Sequence, residues 1–367
     1  MQITAPSDGG NIVVVSADHD TAHLKIRPDA GSGFFQWFYF RLTGSSGVPC
    51  QLIIDNAGRS SYPAGWTDYQ AVCSTDGEQW RRARTHYDGS TLTIHHTPTS
   101  DVTWFAAFAP YSQAQHDALL RRSLRAGARL TALGTTLDGQ DIDLLTVGTG
   151  PLKVWILARQ HPGETMAEWF VDGLLDHLLS PACAPLLAQA TFSIVPNMNP
   201  DGSRRGHLRS NAVGENLNRA WAAPSQQRTP EVFFVRNEMD ATGVDLCLDV
   251  HGDEALPYNF FSPGMLGIPG VTDRQRRLYA AFSQAMVAAS PEFQTTYGYP
   301  QPRPGKANLT ICANQIAARF SCLAVTLEQP FKDNADRPDD TWGWSPARAR
   351  QLGADCLVAI QAIVPEL

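Results

Sequence analysis

Two histidines and two glutamates are the residues of this chain whose types and spacing could do chemistry. His161 and Glu164 stand three apart across a Pro-Gly turn, a spacing that lets an imidazole and a carboxylate face one ion. His251 follows a distant apolar run and offers a third donor, while Glu328 closes another such run. Two imidazoles and one carboxylate make a His₂Glu set with a fourth position open, the arrangement of catalytic zinc. One Zn²⁺ in such a set lowers the pKa of a water toward about 7, and a nearby carboxylate can take its proton. Glu328 is the candidate for that base. Taken singly these residues have ordinary explanations, since a glutamate at a helix start suits the helix dipole and a strand-end histidine is usually just hydrogen-bonded. Together, at the ends of buried runs, they do not.

The elements that must position them can be read from periodicity. Residues 152–158, 190–195, 244–250 and 322–327 are continuous apolar runs, the form taken by strands buried on both faces. Helices are predicted over 112–125, 164–179 and 273–289; in the second, Met166, Phe170, Leu174 and Leu178 recur one turn apart. This alternation predicts an α/β domain with a mixed, mainly parallel central sheet flanked by helices. Strand carboxyl ends in such a sheet open on one crevice, so His161, Glu164, His251 and Glu328 are expected in one place.

The first hundred or so residues read differently. Short runs at 11–16, 33–43, 50–55, 91–95 and 102–108 are rich in β-branched and aromatic residues and are separated by turn formers, which predicts an antiparallel β-sandwich. The dense aromatic stretch at 35–40 reads as its core rather than as a ligand platform. The expected organisation is a sandwich domain over 1–109 and a catalytic domain over 110–367.

Composition removes several function classes. The 367 residues carry 29 basic and 36 acidic side chains, a net charge of −7 with no basic block, so no nucleic-acid partner is expected. No apolar run approaches the roughly 18 residues of a membrane span, and no membrane partner is expected. Seven cysteines without a C-x-x-C pair read as reduced thiols, and the first residues lack the basic cap and apolar core of a signal peptide. A cytoplasmic location follows as the expectation.

A second chemistry lies in residues 197–221. Arg204, Arg205, Arg209 and Arg219, interspersed with asparagines, concentrate guanidinium forks that suit a free α-carboxylate. Arg204 and Arg205 read as solvated loop charge; Arg219, between Asn218 and Ala-Trp, does not. The motifs HPGE (161–164), NPDGSRRGHLRSNAVGENLNRAW (199–221), DVHGD (249–253) and TLEQPFKD (326–333) resemble the zinc metallocarboxypeptidases of the carboxypeptidase A type, and more closely their cytosolic carboxypeptidase branch. The segments QWFYF (36–40) and FAPYSQAQHDAL (108–119) are similar to that branch too, in which a β-sandwich precedes the catalytic domain.

The resemblance implies that His161, Glu164 and His251 bind the zinc, that Glu328 is the general base, and that Arg209 polarises the scissile carbonyl. It makes Asn218 and Arg219 the pair that holds the substrate's terminal carboxylate. Where the family often has an aspartate orienting a zinc-bound imidazole, this chain has Asn216, whose amide oxygen can still accept the imidazole N–H. The branch's arginine for acidic terminal side chains is replaced by a stretch containing Lys306, and the family's mobile tyrosine has two candidates, Tyr297 and Tyr299. The expected reaction is hydrolysis of the last bond of a peptide or protein, acidic terminal residues included. Two rivals share these residues: a zinc amidohydrolase acting on N-acyl amino acids, and a peptide-binding module with a vestigial zinc site. The sandwich itself is expected to serve folding or protein interaction.

Overall fold

A continuous apolar run is stable as a strand only when both its faces are covered, and the larger part of the chain is built around that requirement. The computed structural model describes residues 1–367. The amino-terminal strands are β1 (Gln2–Thr4), β2 (Val13–Ala17), β3 (Thr21–Lys25), β4 (Tyr39–Thr43), β5 (Cys50–Ile54), β6 (Val72–Ser74), β7 (Arg81–Arg82), β8 (Thr85–Tyr87), β9 (Leu92–His96) and β10 (Val102–Ala106). There follow β11 (Arg129–Thr135), β12 (Asp141–Val147), β13 (Leu152–Ala158), β14 (Ala190–Val195), β15 (Leu246–Val250), β16 (Phe260–Ser262) and β17 (Leu323–Glu328). The helices are α1 (Gln113–Arg125), α2 (Met166–Leu178), α3 (Ala184–Gln189), α4 (Pro200–Arg205), α5 (Pro230–Thr242), α6 (Asp273–Ala289), α7 (Cys312–Phe320) and α8 (Pro346–Ile363).

The later strands form one mixed sheet in the order β11-β12-β14-β13-β15-β17-β16. Its four central strands, β14, β13, β15 and β17, are parallel, and antiparallel strands finish both edges. Every residue of β15 and β17 is buried, which is why their sequences show no alternation. Helix α2 crosses α8 where both carry glycine. A Cβ on Gly173 would lie 2.1 Å from the Arg350 carbonyl oxygen, and one on Gly353 would lie 2.1 Å from that of Phe170. This close crossing anchors α2, and with it the HPGE turn that leads into the helix.

The amino-terminal region is a sandwich of two five-stranded sheets, ordered β1-β4-β10-β6-β7 and β2-β3-β5-β9-β8. Its layers meet where the His96 ring approaches Phe105 edge-on, with centroids 5.3 Å apart. One pairing departs from the antiparallel expectation: β3 and β5 run parallel, because the chain between them crosses to the other sheet to form β4. The strand expected over 33–43 begins only at Tyr39. Residues 33–38 lie outside any strand, bury Trp37 and Phe38 in the core and leave Phe34 and Phe35 half-buried.

Where α1, α2 and β12 meet, a largely buried ionic chain replaces apolar packing. Glu168 accepts from Arg159 Nη1 at 2.7 Å and pairs with His116 Nδ1 at 2.5 Å; His116 Nε2 reaches Asp143 at 3.2 Å. Burial by itself disfavours a charged His116, but Glu168 and Asp143 overcome it and raise its pKa to about 10. The imidazolium therefore contributes stability that is complete below the unfolded pKa of about 6.5 and is lost as pH rises through the folded value. Chemical denaturation at pH 7 and pH 10.5 should show the wild type losing a few kcal/mol more over that interval than His116→Gln, which lacks the titration. Parallel losses in the two proteins would show that His116 is not the group responsible.

Candidate metal centre and active site

The strand ends deliver the four residues to one edge of the sheet. His161 and Glu164 follow β13, His251 follows β15, and Glu328 ends β17. The turn carrying the first two is braced from behind by Arg159, which adopts φ 58° and is 4% exposed. Its Nε donates to the Pro162 carbonyl at 2.9 Å, and its Nη1 donates to Tyr111 O and Glu168. A non-glycine residue in the left-handed region costs about 1 kcal/mol or more, and here the hydrogen bonds on both sides of the turn hold it there.

Three donors converge. Glu164 offers one oxygen to each imidazole, Oε1 to His161 Nδ1 at 2.6 Å and Oε2 to His251 Nδ1 at 2.7 Å, and the two Nδ1 atoms are 3.2 Å apart. All the donor atoms lie within 4.8 Å of one another, and all three residues are buried. The far nitrogens are engaged: His161 Nε2 donates to Asn216 Oδ1 at 3.0 Å, and His251 Nε2 donates to Asp249 Oδ2 at 3.0 Å. Burial and the nearby Arg209 lower the His161 pKa to about 4, so its Nδ1 presents a lone pair to the centre. His251 is also desolvated, yet Asp249 and Glu164 on its two sides raise its pKa well above the usual value, a demand for positive charge at this point. Burial would raise the Glu164 pKa, but the two histidines reverse this and hold it below the ordinary carboxylate range. Nitrogen and carboxylate donors that face inward and are tied from outside fit a divalent cation such as zinc.

A cavity of about 410 Å³ opens beside this cluster. Glu328 lines it at 8% exposure, and its Oε2 has no hydrogen-bond partner. Burial first, with Glu164 and the neighbouring acids Asp253 and Glu254 against His251, drives its pKa well above the usual carboxylate value. Arg209 and Arg219 also line it, and neither guanidinium pairs with a carboxylate of the chain. Arg219 Nη1 donates to the Asn218 carbonyl; burial and the like charge of Arg209 lower its pKa. Asn218 also lines the cavity and accepts the Cys312 N–H through Oδ1 at 2.8 Å.

Not every expected residue arrives. Tyr299 lines the cavity and donates to Asp253 Oδ2 at 2.5 Å, whereas Tyr297 is 52% exposed and stacks on Tyr258 outside it. Lys306 is exposed and lines a neighbouring cavity of about 220 Å³ that shares Tyr299 and Thr326 with the main one. Several residues here carry no motif signal. Tyr62, from the sandwich, lines the same cavity, and burial ahead of its charged neighbours raises its phenol pKa to about 12. Glu254 lies buried in the wall, where desolvation and then Glu164 raise its pKa to about 8. Asp249 had a signal: an aspartate inside a wholly buried strand requires a partner, and two residues from His251 the imidazole is the nearest one.

Comparison with known proteins agrees with this geometry. Residues 120–262 match the zinc carboxypeptidase family model, and residues 3–108 match the cytosolic carboxypeptidase N-terminal domain. An uncharacterised protein of Zymomonas mobilis is 49% identical over all of this chain and 97% of its own length. Cytosolic carboxypeptidase 3 of Bos taurus is 28% identical over 76% of this chain, which spans 31% of that larger protein. The solved structure of a metallo-carboxypeptidase from Pseudomonas aeruginosa in complex with (2-guanidinoethylmercapto)succinic acid is 45% identical, with a TM-score of 0.97 over 100% of both chains. The chain, with its sandwich preceding a mixed α/β sheet and its His-Glu-His cluster at the strand ends, belongs to the zinc carboxypeptidase family of peptide hydrolases.

Proposed function

We propose that this cavity is the active site of a zinc-dependent carboxypeptidase that releases the last residue of a peptide or protein, with the chain divided into a sandwich (1–109) and a catalytic domain (110–367). One juxtaposition carries the reading: a three-donor metal cradle, a glutamate oxygen without a partner and two guanidinium groups without a carboxylate border one cavity. Zinc held by His161, Glu164 and His251 would supply Lewis acidity, polarising the scissile carbonyl and acidifying water.

The remaining work falls to side chains of this chain. Arg219, with Asn218 beside it, takes the substrate's terminal carboxylate and so selects a chain end over an internal bond. Arg209 donates to the carbonyl oxygen as negative charge develops there. Glu328 accepts a proton at Oε2 from the attacking water and passes it to the departing amine. That the Pseudomonas aeruginosa relative forms a complex with a succinic acid derivative, a compound bearing carboxylates, supports a carboxylate-binding role in this chain. A deacylase of N-acyl amino acids would need the same grip. The peptide reading is favoured because the chain matches the zinc carboxypeptidase family model and a full-length solved relative is a metallo-carboxypeptidase. Seven free cysteines and the cytosolic carboxypeptidase N-terminal match support a cytoplasmic location.

Glu328→Gln should retain one zinc per chain by metal analysis while kcat on a blocked dipeptide falls by about 10²–10⁴-fold. A near-normal rate would remove Glu328 from the mechanism. Amidation of the substrate's terminal carboxylate, or Arg219→Met with an unmodified substrate, should lower kcat/KM by roughly 30-fold or more, the cost of leaving one member of a charge pair without its partner. Efficient cleavage of the amidated peptide would contradict the anchoring role.

A further inference from the structure

Arg209 is held in an unusual way. Its guanidinium carbon lies 5.6 Å from the centroid of Phe34 and 5.6 Å from that of Tyr62, and both rings belong to the sandwich. The two ring-bearing segments are tied together: Gln36 donates to Tyr62 O at 3.1 Å and accepts from Tyr62 N at 2.8 Å, and Ser61 N donates to Phe35 O at 2.9 Å. The backbone beneath Arg209 is fixed by the sandwich as well. Asp29, 2% exposed, accepts the N–H groups of Leu208, Arg209 and Ser210 at 2.6, 2.9 and 2.9 Å and also the Ser210 hydroxyl at 2.9 Å. Leu208 in turn accepts the Gly163 N–H at 2.9 Å, which sets this backbone against the turn bearing His161 and Glu164. Gly31 (φ +74°) makes the approach possible: a Cβ there would stand 2.7 Å from the Val213 carbonyl oxygen.

An arginine that must stabilise a developing oxyanion has conflicting needs. It has to be immobilised, because a free guanidinium samples many rotamers, yet a carboxylate that immobilised it would also compete with the oxyanion. Aromatic faces resolve the conflict, since they attract the cation without neutralising it. We propose that Asp29, Phe34 and Tyr62 are positioning residues for Arg209, so that the amino-terminal sandwich is a structural part of the catalytic centre. The inference rests on the role given to Arg209 above. Through it the sandwich acts on the transition state more than on substrate binding.

The test compares wild type, Arg209→Ala, Phe34→Leu/Tyr62→Leu, Asp29→Asn and Tyr62→Phe on one blocked dipeptide, with zinc content and thermal midpoint measured for each. The double leucine variant should lose about tenfold to hundredfold in kcat, with KM changed little and one zinc retained. Tyr62→Phe, which keeps the ring, should recover most of the rate, and Asp29→Asn should lose kcat. Added to Arg209→Ala, the leucine pair should cost almost nothing more, because the residue it positions is gone. A large loss in Arg209→Ala alongside wild-type kcat in the double leucine variant would overturn the clamp and leave the role of Arg209 standing. So would full additivity of the two. Equal kcat in Arg209→Ala and wild type would overturn both.

Discussion

Glu164 carries an imidazole on each carboxylate oxygen, and the remainder of the site is arranged to keep that three-part contact intact. Only three side chains make the contact. Each donor is therefore gripped from outside: His161 by Asn216, His251 by Asp249, and Glu164 by the Gly252 N–H at 3.1 Å. The parallel strands β13 and β15 bring the two histidines side by side, and the glycine crossing of α2 on α8 sets the direction of the turn between them. One partner is an amide and the other a carboxylate. Against its burial, Asp249 and Glu164 raise the pKa of His251, whereas burial and Arg209 lower that of His161, so His251 is the donor that more strongly attracts positive charge.

Charge is organised around this contact in two rings. Outside it, Arg159, Glu168, His116 and Asp143 form a buried chain of alternating sign that carries the site's support into α1 and β12. Each ion has its partner, so the cost of desolvating it is offset at the point where it arises. Around the cavity the rule is reversed. Arg209 and Arg219 lack a carboxylate partner within the chain and the Glu328 oxygen lacks any hydrogen-bond partner, which is expensive in isolation and is offset where a substrate completes the pairing. The same logic accounts for the sandwich. It approaches the cavity with aromatic rings and backbone-directed hydrogen bonds, which fix Arg209 without cancelling its charge.

Much of this could be read from the chain. Strands buried on both faces leave continuous apolar runs, and β13 and β14 begin and end where those runs do. The residue following such a run is at the crevice by topology alone, so His161, Glu164, His251 and Glu328 could be placed together without a contact map. What stayed hidden depends on contacts between distant segments that share no periodicity. Tyr297 and Tyr299 differ by one pleat of an irregular loop, and only packing against Phe260 and Asp253 turns Tyr299 inward. Lys306 has the right charge for an acidic side chain, but its backbone places it in the adjoining cavity. Phe34 and Tyr62 sit among aromatic residues that do form the sandwich core, and nothing in their spacing separates ring-lined site from core.

The convergence of two imidazoles and one carboxylate on a single zinc is tested most directly by X-ray absorption at the zinc edge of the purified protein, alongside the His251→Ala variant. One zinc per chain in a shell of nitrogen and oxygen only, showing two imidazole signatures in the wild type and fewer than two in the variant, is the predicted result. Sulfur in the shell, which would place the metal on the chain's cysteines, or a spectrum unchanged by His251→Ala, would contradict the account.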